Sequence, residues 1–501
     1  MQQAYSWIAI LLLAALAHAE PLKLTARQRV PNAADLGGSE VREKTLTWEA
    51  KETAIIICDM WDKHWCNGAT QRVGEIAPKM DRVVAQARSH GVFIIHAPSD
   101  CMAFYADTPQ RKLAQSAPAA KNQPKDIHEW CRRIADEPAL PIDDSDGGCD
   151  DLPAPKSHRA WKRQHEAIRI ADNDAISDSG KEIWNLLESR GIQNVIVMGV
   201  HTNMCVLGRP FGLRQMAKNG KNVVLARDLT DAMYNPQKKP FVSHRRGTEF
   251  VIAHIERHVC PSIHSGDILG EPYKPHVVFL IGENEYKTAE TLPEFAKKEL
   301  SGLRCTFIQA DAKDENSFPG LDVLKDADLL FVSVRRRLPS KAQIAAIRAY
   351  AESGRPIVGI RTASHAFEVK NKPGGWPEFD RDVLGGSYGM HYDKGEPTVL
   401  TAITDQGAKH PILNGVPATF ESGETLYRNP KLVETATPLV RGKVGPNGKE
   451  EHFVAWTNVY KGGRVFYTSL GGPADFRTEA FRRMLRNGVL WALEKDVQKA
   501  D

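Results

Sequence analysis

Apolar residues along this chain come in short blocks separated by helix-like stretches. Thr53–Cys58 (TAIIIC), Val92–Ile95 and Val195-Ile196-Val197-Met198 are apolar runs bounded by polar residues or glycine. Such runs predict strands buried on both faces of a parallel sheet. Between them, Met80, Val83, Val84 and Ala87 recur at helical spacing over Ala77–His90, with Gly91 as a stop. Further helices are expected over Ser179–Arg190, over Leu207–Asn219 and ending near His258, with a strand at Asn222–Ala226. Strand, helix and strand in alternation imply right-handed parallel crossovers. The pattern then breaks over Pro261–Pro275, rich in Gly, Pro and Ser, and resumes. The second series predicts strands at Val277–Ile281, Asp328–Val334, Pro356–Ile360 and Arg464–Leu470, and helices at Thr291–Leu300, Ser340–Ser353 and Phe476–Glu494. The expected class is therefore α/β, with two mainly parallel-sheet domains at 48–262 and 276–495. A linker at 263–275 joins them, and a polar arm at 20–47 precedes the first.

Ala97–Ser157 does not fit this rhythm. It is rich in Pro, Asp and Lys and reads as an insertion of the kind that walls or lids a site. Its acidic run Asp143-Asp144-Ser145-Asp146 lacks the closing Glu of an EF-hand, so a solvated loop is expected there. The apolar segment Ile8–Leu16 followed by Ala17-His18-Ala19 has the form of a secretory signal at 1–19, either removed or, given the weak basic start Met1-Gln2-Gln3, kept as an anchor, with the rest exported to a periplasm or beyond. Elsewhere no stretch is long and apolar enough to span a membrane.

Composition removes one class of partner. The 501 residues hold 66 basic and 62 acidic side chains, interspersed, for a net charge of +4, which gives nucleic acid no footprint. Eight cysteines are too few for a disulfide scaffold. Cys131 and Cys149 flank part of the insertion and are candidates for a bridge, while Cys58 reads as core.

Candidate chemistry gathers in the first domain. Asp59 follows the first predicted strand and Cys205 a later one, while Lys162 follows the insertion. In a doubly wound sheet the carboxyl ends of strands share one crevice, where residues distant in sequence meet. The segments IIICDM, WKRQHEAI and VIVMGVHTNMCV resemble the motif regions of the isochorismatase-like cysteine hydrolases, a superfamily that includes nicotinamidases and other amidases. The most specific part is Gly199-Val200-His201-Thr202-Asn203-Met204-Cys205-Val206. The resemblance implies a three-layer α/β/α fold and a catalytic triad of Asp59, Lys162 and Cys205, with Lys156 or Lys181 as alternatives to Lys162. It also implies that Asp59 takes the thiol proton and later delivers it to the leaving group, while the lysine lowers the thiol pKa. The oxyanion would rest on backbone N–H groups of His201 and Cys205, with a cis peptide between Val200 and His201. A thioester would form and be hydrolysed.

Other residues stand near this motif. Trp61 and Asn203 are candidates for contact with substrate. Arg209 would either bind a substrate carboxylate or form a salt bridge on its helix. Asp228 and Asp231 either line the crevice or cap a turn. The metal of nicotinamidases needs an Asp-X-His pair well downstream of the catalytic Asp, whereas Asp62-Lys63-His64 lies three residues after Asp59. No zinc is expected in this domain, and His96 reads as structural.

In the second domain, FLIGENEY, GRPIVGIRTASHAF, KHPILNGV, SGETLYR and GRVFYTSLGG resemble the ThuA-like, or trehalose-utilisation-like, domain. That resemblance implies a flavodoxin-type fold shared with class I glutamine amidotransferases. Where an amidotransferase presents its cysteine, this chain has Arg361-Thr362, so glutaminase chemistry is excluded. His365, His391, His410 and Glu424 are candidates for a sugar or metal site, and Gly472 stands where relatives carry a His. The sequence thus points to an exported cysteine hydrolase for an amide or related C–N bond of a small molecule. The alternative is a carbohydrate-related protein working through its second domain. No cofactor is expected, and homo-oligomerisation is left open.

Overall fold

The computed structural model describes residues 20–31, 39–392, 398–402, 405–445, 448–495 and 497. The signal-like segment at 1–19 lies outside the described residues. Two sheets organise the chain. The first contains β1 (Leu22–Pro31), β2 (Ser39–Trp48), β3 (Thr53–Cys58), β4 (Phe93–Ala97), β5 (Ala175–Ile176), β6 (Asn194–Val200), β7 (Asn222–Asp231) and β8 (Ser262–Ile263), in the order β2-β1-β8-β7-β6-β3-β4-β5. From β8 to β5 all neighbours are parallel, and the arm adds the antiparallel pair β1–β2 at one edge.

The apolar runs explain the layering. Successive side chains on a strand point to opposite faces. Accordingly Ala54, Ile56 and Cys58 of β3 enter one core and Ile55 and Ile57 the other, each core being covered by helices. Val195 and Val197 of β6 divide from Ile196 and Met198 in the same way. An uninterrupted run is needed because neither face meets water, and each buried Ile or Val contributes about 1.5–3 kcal/mol.

The second sheet contains β9 (His276–Gly282), β10 (Arg304–Gln309), β11 (Leu329–Val334), β12 (Ile357–Ile360), β14 (Thr398–Ala402), β15 (Thr419–Ser422), β17 (Thr437–Val444), β18 (His452–Tyr460) and β19 (Gly463–Thr468). Their order is β10-β9-β11-β12-β19-β18-β17-β14-β15, with β13 (Met390–His391) and β16 (Tyr427–Arg428) forming a separate small pair. Five strands are parallel, and the four from β18 outward form an antiparallel extension. Val277, Phe279 and Ile281 face one core, Val278 and Leu280 the other.

Several expectations shift. The helix after β3 runs Asn67–Ser89, ten residues longer at its start than the apolar spacing suggested, because Gly68, Gly74 and Pro78 hide its first turns. The helix expected over Leu207–Asn219 is interrupted at 209–212 and continues as Leu213–Lys218, preceded by a π-helical turn, Thr202–Val206. β10 escaped notice because most of its side chains are partly exposed and its apolar run is broken. The stretch expected as linker carries a short helix, Gly266–Leu269, and its Ile268 is buried in the first core. No helix among the described residues is long and apolar enough to cross a membrane.

Candidate active site

The carboxyl ends of β3 and β6 bring Asp59 and Cys205 together. Gly199, at φ +114°, makes this approach feasible: a Cβ there would lie 2.0 Å from the carbonyl oxygen of Cys58. The chain then passes through a cis peptide between Val200 and His201 into the turn that carries Cys205. Thr230 clamps this turn, its hydroxyl donating to Gly199 O at 2.7 Å and lying 2.7 Å from the Thr202 hydroxyl.

Asp59 is fully buried and has a left-handed φ of 47°, a conformation that costs a non-glycine residue energy and occurs most often at functional positions. Its Oδ1 accepts the Ser99 N–H at 2.7 Å and its Oδ2 the Arg209 Nε–H at 3.1 Å. The Cys205 thiol lies close enough to the same carboxylate for each to perturb the other's ionisation. Burial raises the Asp59 carboxyl above its usual range, opposed first by Arg209 and then by the hydrogen bond from Ser99 and the neighbouring Cys205 thiol. Burial also pushes the Cys205 thiol up, and the Asp59 charge pushes it further, while Arg209 and the His201 backbone N–H pull it down. The thiol is therefore neutral at pH 7, beside a carboxyl whose basicity burial has raised.

Lys162 is not part of this group. Its side chain is exposed, and its backbone N–H donates to Asp62 Oδ1 at 3.0 Å. Arg209 takes the cationic place because it lies one helical turn beyond Cys205, its N–H bonded to Cys205 O at 3.0 Å. Of the two readings considered for Arg209, the structure gives a salt bridge, but to the buried Asp59 rather than on a helix surface. The i, i+4 spacing of Cys205 and Arg209 was the available signal.

The other candidates have assigned work. Asn203 bonds Asp144 Oδ2 at 2.7 Å and both main-chain groups of Met233, so it braces the insertion against the Cys205 turn. Trp61 stacks on Trp161 at 4.1 Å between ring centroids and donates to Ser99 O at 3.0 Å. Trp161 in turn stacks on His64, whose ring meets His201 edge-on at 4.9 Å. Burial lowers His64 to about 4 and His201 to about 3, so both imidazoles are neutral at pH 7. Together these four rings form an uncharged aromatic wall at the turn.

The Asp62 and His64 pair has structural partners: Asp62 Oδ1 accepts the N–H groups of Lys162 and Arg163, and His64 Nδ1 accepts the Cys66 N–H at 3.2 Å. His96 is held between Gln164 at 2.9 Å and Asp174 at 3.1 Å, a structural role. Asp228 pairs with Lys79, and Asp231 with Arg72 and His244. The candidate Cys131–Cys149 bridge is not formed: both are free thiols, and Cys131 Sγ points to Arg133 O.

In the second domain, Arg361 occupies the turn after β12 with φ 43° and is almost wholly buried. Its guanidinium sits over Tyr286 at 4.1 Å and Tyr427 at 4.8 Å, and 3.9 Å from Glu424. His365 stacks on Tyr388 at 4.5 Å, and His391 lies 6.4 Å from the Tyr427 ring, so His365, His391 and Glu424 do surround one aromatic group. His410 lies apart, against Trp491. At Gly472 a Cβ would be 2.1 Å from Glu424 Cδ, so Glu424 fills the space a larger residue would need.

Residues 156–250 match the isochorismatase domain family, and residues 278–492 match the trehalose-utilisation family, ThuA. The chain joins an isochorismatase-like domain to a ThuA-like domain. A cysteine hydrolase from Pseudomonas syringae pv. phaseolicola 1448A is 17% identical, with 44% of this chain and 95% of that one covered and a TM-score of 0.28. A ThuA-like protein from Bacteroides uniformis ATCC 8492 is also 17% identical, over 44% of this chain and 93% of that one, with a TM-score of 0.35. An isochorismatase family protein from Burkholderia thailandensis is 14% identical, over 44% and 95%, with a TM-score of 0.26. A search among curated proteins finds no match.

Proposed function

We propose that the isochorismatase-like domain is an exported cysteine hydrolase that cleaves an amide or related C–N bond of a small molecule. The observation that carries this reading is the meeting of the Cys205 thiol with a buried Asp59 that is also held by Arg209. Asp59 accepts the thiol proton as sulfur attacks the carbonyl carbon, and the charge moved onto sulfur is met by Arg209 and the His201 N–H. The tetrahedral oxyanion rests on backbone N–H groups of the turn. Asp59 then returns the proton to the leaving nitrogen, and water hydrolyses the thioester. The neutral rings of Trp61, His64, Trp161 and His201 favour a flat, uncharged substrate portion beside the thiol. The test is turnover of a panel of small amides by Cys205→Ala: loss of activity with the fold intact is expected, and unchanged turnover would sink the assignment.

A second reading concerns the ThuA-like domain. Tyr286, Tyr388, Tyr427 and Arg361 offer ring faces and donors of the kind that hold a sugar. Sugar-dependent thermal stabilisation that disappears in Tyr427→Ala supports carbohydrate binding there. Stabilisation untouched by that change removes this site from consideration.

A further inference from the structure

Away from Cys205, donor atoms suited to a metal ion converge from two segments of the first domain. The Cys66 and Cys149 thiols and a carboxylate oxygen of Asp151 all lie within 4.8 Å of one another. Cys66 and Cys149 are 0% and 2% exposed, and neither is in a disulfide. Cys66 immediately precedes the helix Asn67–Ser89, and Cys149 and Asp151 lie near the end of the insertion.

The approach is built rather than incidental. Asp151 accepts the N–H groups of Asn67 at 2.6 Å and Gly68 at 3.0 Å, capping a helix whose own N-cap residue, Cys66, offers no side-chain cap. Asp150 beside it is gripped by Arg72 at 2.8 and 3.1 Å. Gly148 turns the chain with φ +69° and sits so close to Met233 O that a Cβ would lie 2.3 Å away. Three anchors thus fix both the thiols and the carboxylate before any ion arrives.

We propose that Cys66, Cys149 and Asp151 form a binding site for a divalent cation of the zinc class. Two sulfur donors with one oxygen select zinc over magnesium or calcium, which prefer oxygen alone. Zinc–sulfur bonds of about 2.3 Å and zinc–oxygen bonds of about 2.0–2.2 Å place donors roughly 3.5 Å apart, so side-chain adjustments suffice. Binding releases one proton from each thiol, and no electron is transferred. Two thiolates and one carboxylate exceed the charge of the cation by one. A fourth position remains for water or for Asp150, whose Oδ1 is 3.6 Å from Cys66 Sγ. The donor set shares no residue with the Asp62 and His64 pair. Its effect would reach the nucleophile indirectly, since Asp144 of the same insertion holds Asn203, two residues before Cys205.

The test uses the full chain, loaded in turn with zinc and with cobalt(II). The expected result is about one zinc retained per chain after dialysis, and a near-ultraviolet thiolate-to-cobalt band that survives Cys205→Ser but is lost in Cys149→Ser. Asp151→Asn, which preserves the shape of the cap, should weaken zinc retention at least about tenfold without unfolding the chain. A peptide map under non-reducing conditions that shows a Cys66–Cys149 disulfide overturns the proposal. So does a protein with both thiols free that retains no metal at micromolar zinc. Neither outcome bears on hydrolysis at Cys205.

Discussion

Arg209 Nε lies 3.1 Å from Asp59 Oδ2, and this contact places the site's cation on the same helical turn as Cys205. A lysine delivered by the insertion would move with that loop, whereas Arg209 is fixed relative to Cys205 by one backbone hydrogen bond.

Arg209→Ala should therefore reduce kcat/KM by roughly 10²–10³-fold, since it removes the charge that offsets both the carboxylate and the developing thiolate. Lys162→Ala should stay within about twofold of the parent, as befits an exposed side chain. Steady-state rates on any amide the parent hydrolyses distinguish the two, and a large loss on Lys162→Ala alone would restore the lysine to the triad.

Asp59→Asn should separate thiol reactivity from turnover. The negative charge of Asp59 raises the Cys205 thiol, so its removal lowers the thiol pKa. Iodoacetamide labelling of Cys205 at neutral pH should become faster in this variant, while hydrolysis falls at least about 10²-fold for want of a base. In the parent, labelling should keep rising with pH beyond the ordinary thiol value of 9.0. Mass spectrometry of the labelled peptide measures both, and slower labelling in Asp59→Asn would contradict the electrostatics.

The strands were readable because β3, β6, β9 and β11 are buried on both faces, and double burial leaves an unbroken apolar run. The Asp59 and Cys205 positions were readable for a related reason, since strand ends in such a sheet converge. The cation was not, because a lysine and an arginine carry the same charge in one dimension and only the fold decides which reaches a carboxylate. The thiol partnership was missed in the same way. Cys149 pairs in space with Cys66 rather than Cys131, through Asp151 capping a helix whose first turns, with Gly68, Gly74 and Pro78, do not look helical. The antiparallel extension of the second sheet was hidden because its strands mix polar and apolar residues without a helix between them.

Gly199 gives a steric test of the turn. Gly199→Ala places a methyl 2.0 Å from Cys58 O and forces a side chain into φ +114°, so β3 and β6 must separate where Asp59 and Cys205 meet. A loss of more than about 3 kcal/mol is expected. Gly191→Ala, also at positive φ but with open space around its Cβ, should cost only about 1 kcal/mol. Urea unfolding of both variants checks the difference, and equal costs would mean that the close approach is unimportant.

Glu494 ties the two halves of the chain together and should make their stability depend on acid. Its carboxylate is held by Arg29 and Arg246 from the first domain, the latter at 3.3 Å, and lies 3.9 Å from Arg464 in the second. These groups line a cavity of about 680 Å³ between the halves. Burial opposes ionisation of Glu494, but Arg29, Arg464 and Arg246 more than offset it and hold the carboxyl far below its usual 4.5. A depressed carboxyl contributes stability that is full above the unfolded value and is lost as pH falls through the folded one. Glu494→Gln should thus cost about 2–4 kcal/mol at pH 7, because three guanidiniums lose their common partner. The gap between parent and variant should narrow steadily below pH 4.5, where the unfolded parent takes up a proton that the folded carboxylate does not. Thermal unfolding of both proteins across that range measures it, and a gap that stays constant with pH would show that Glu494 acts through packing rather than charge.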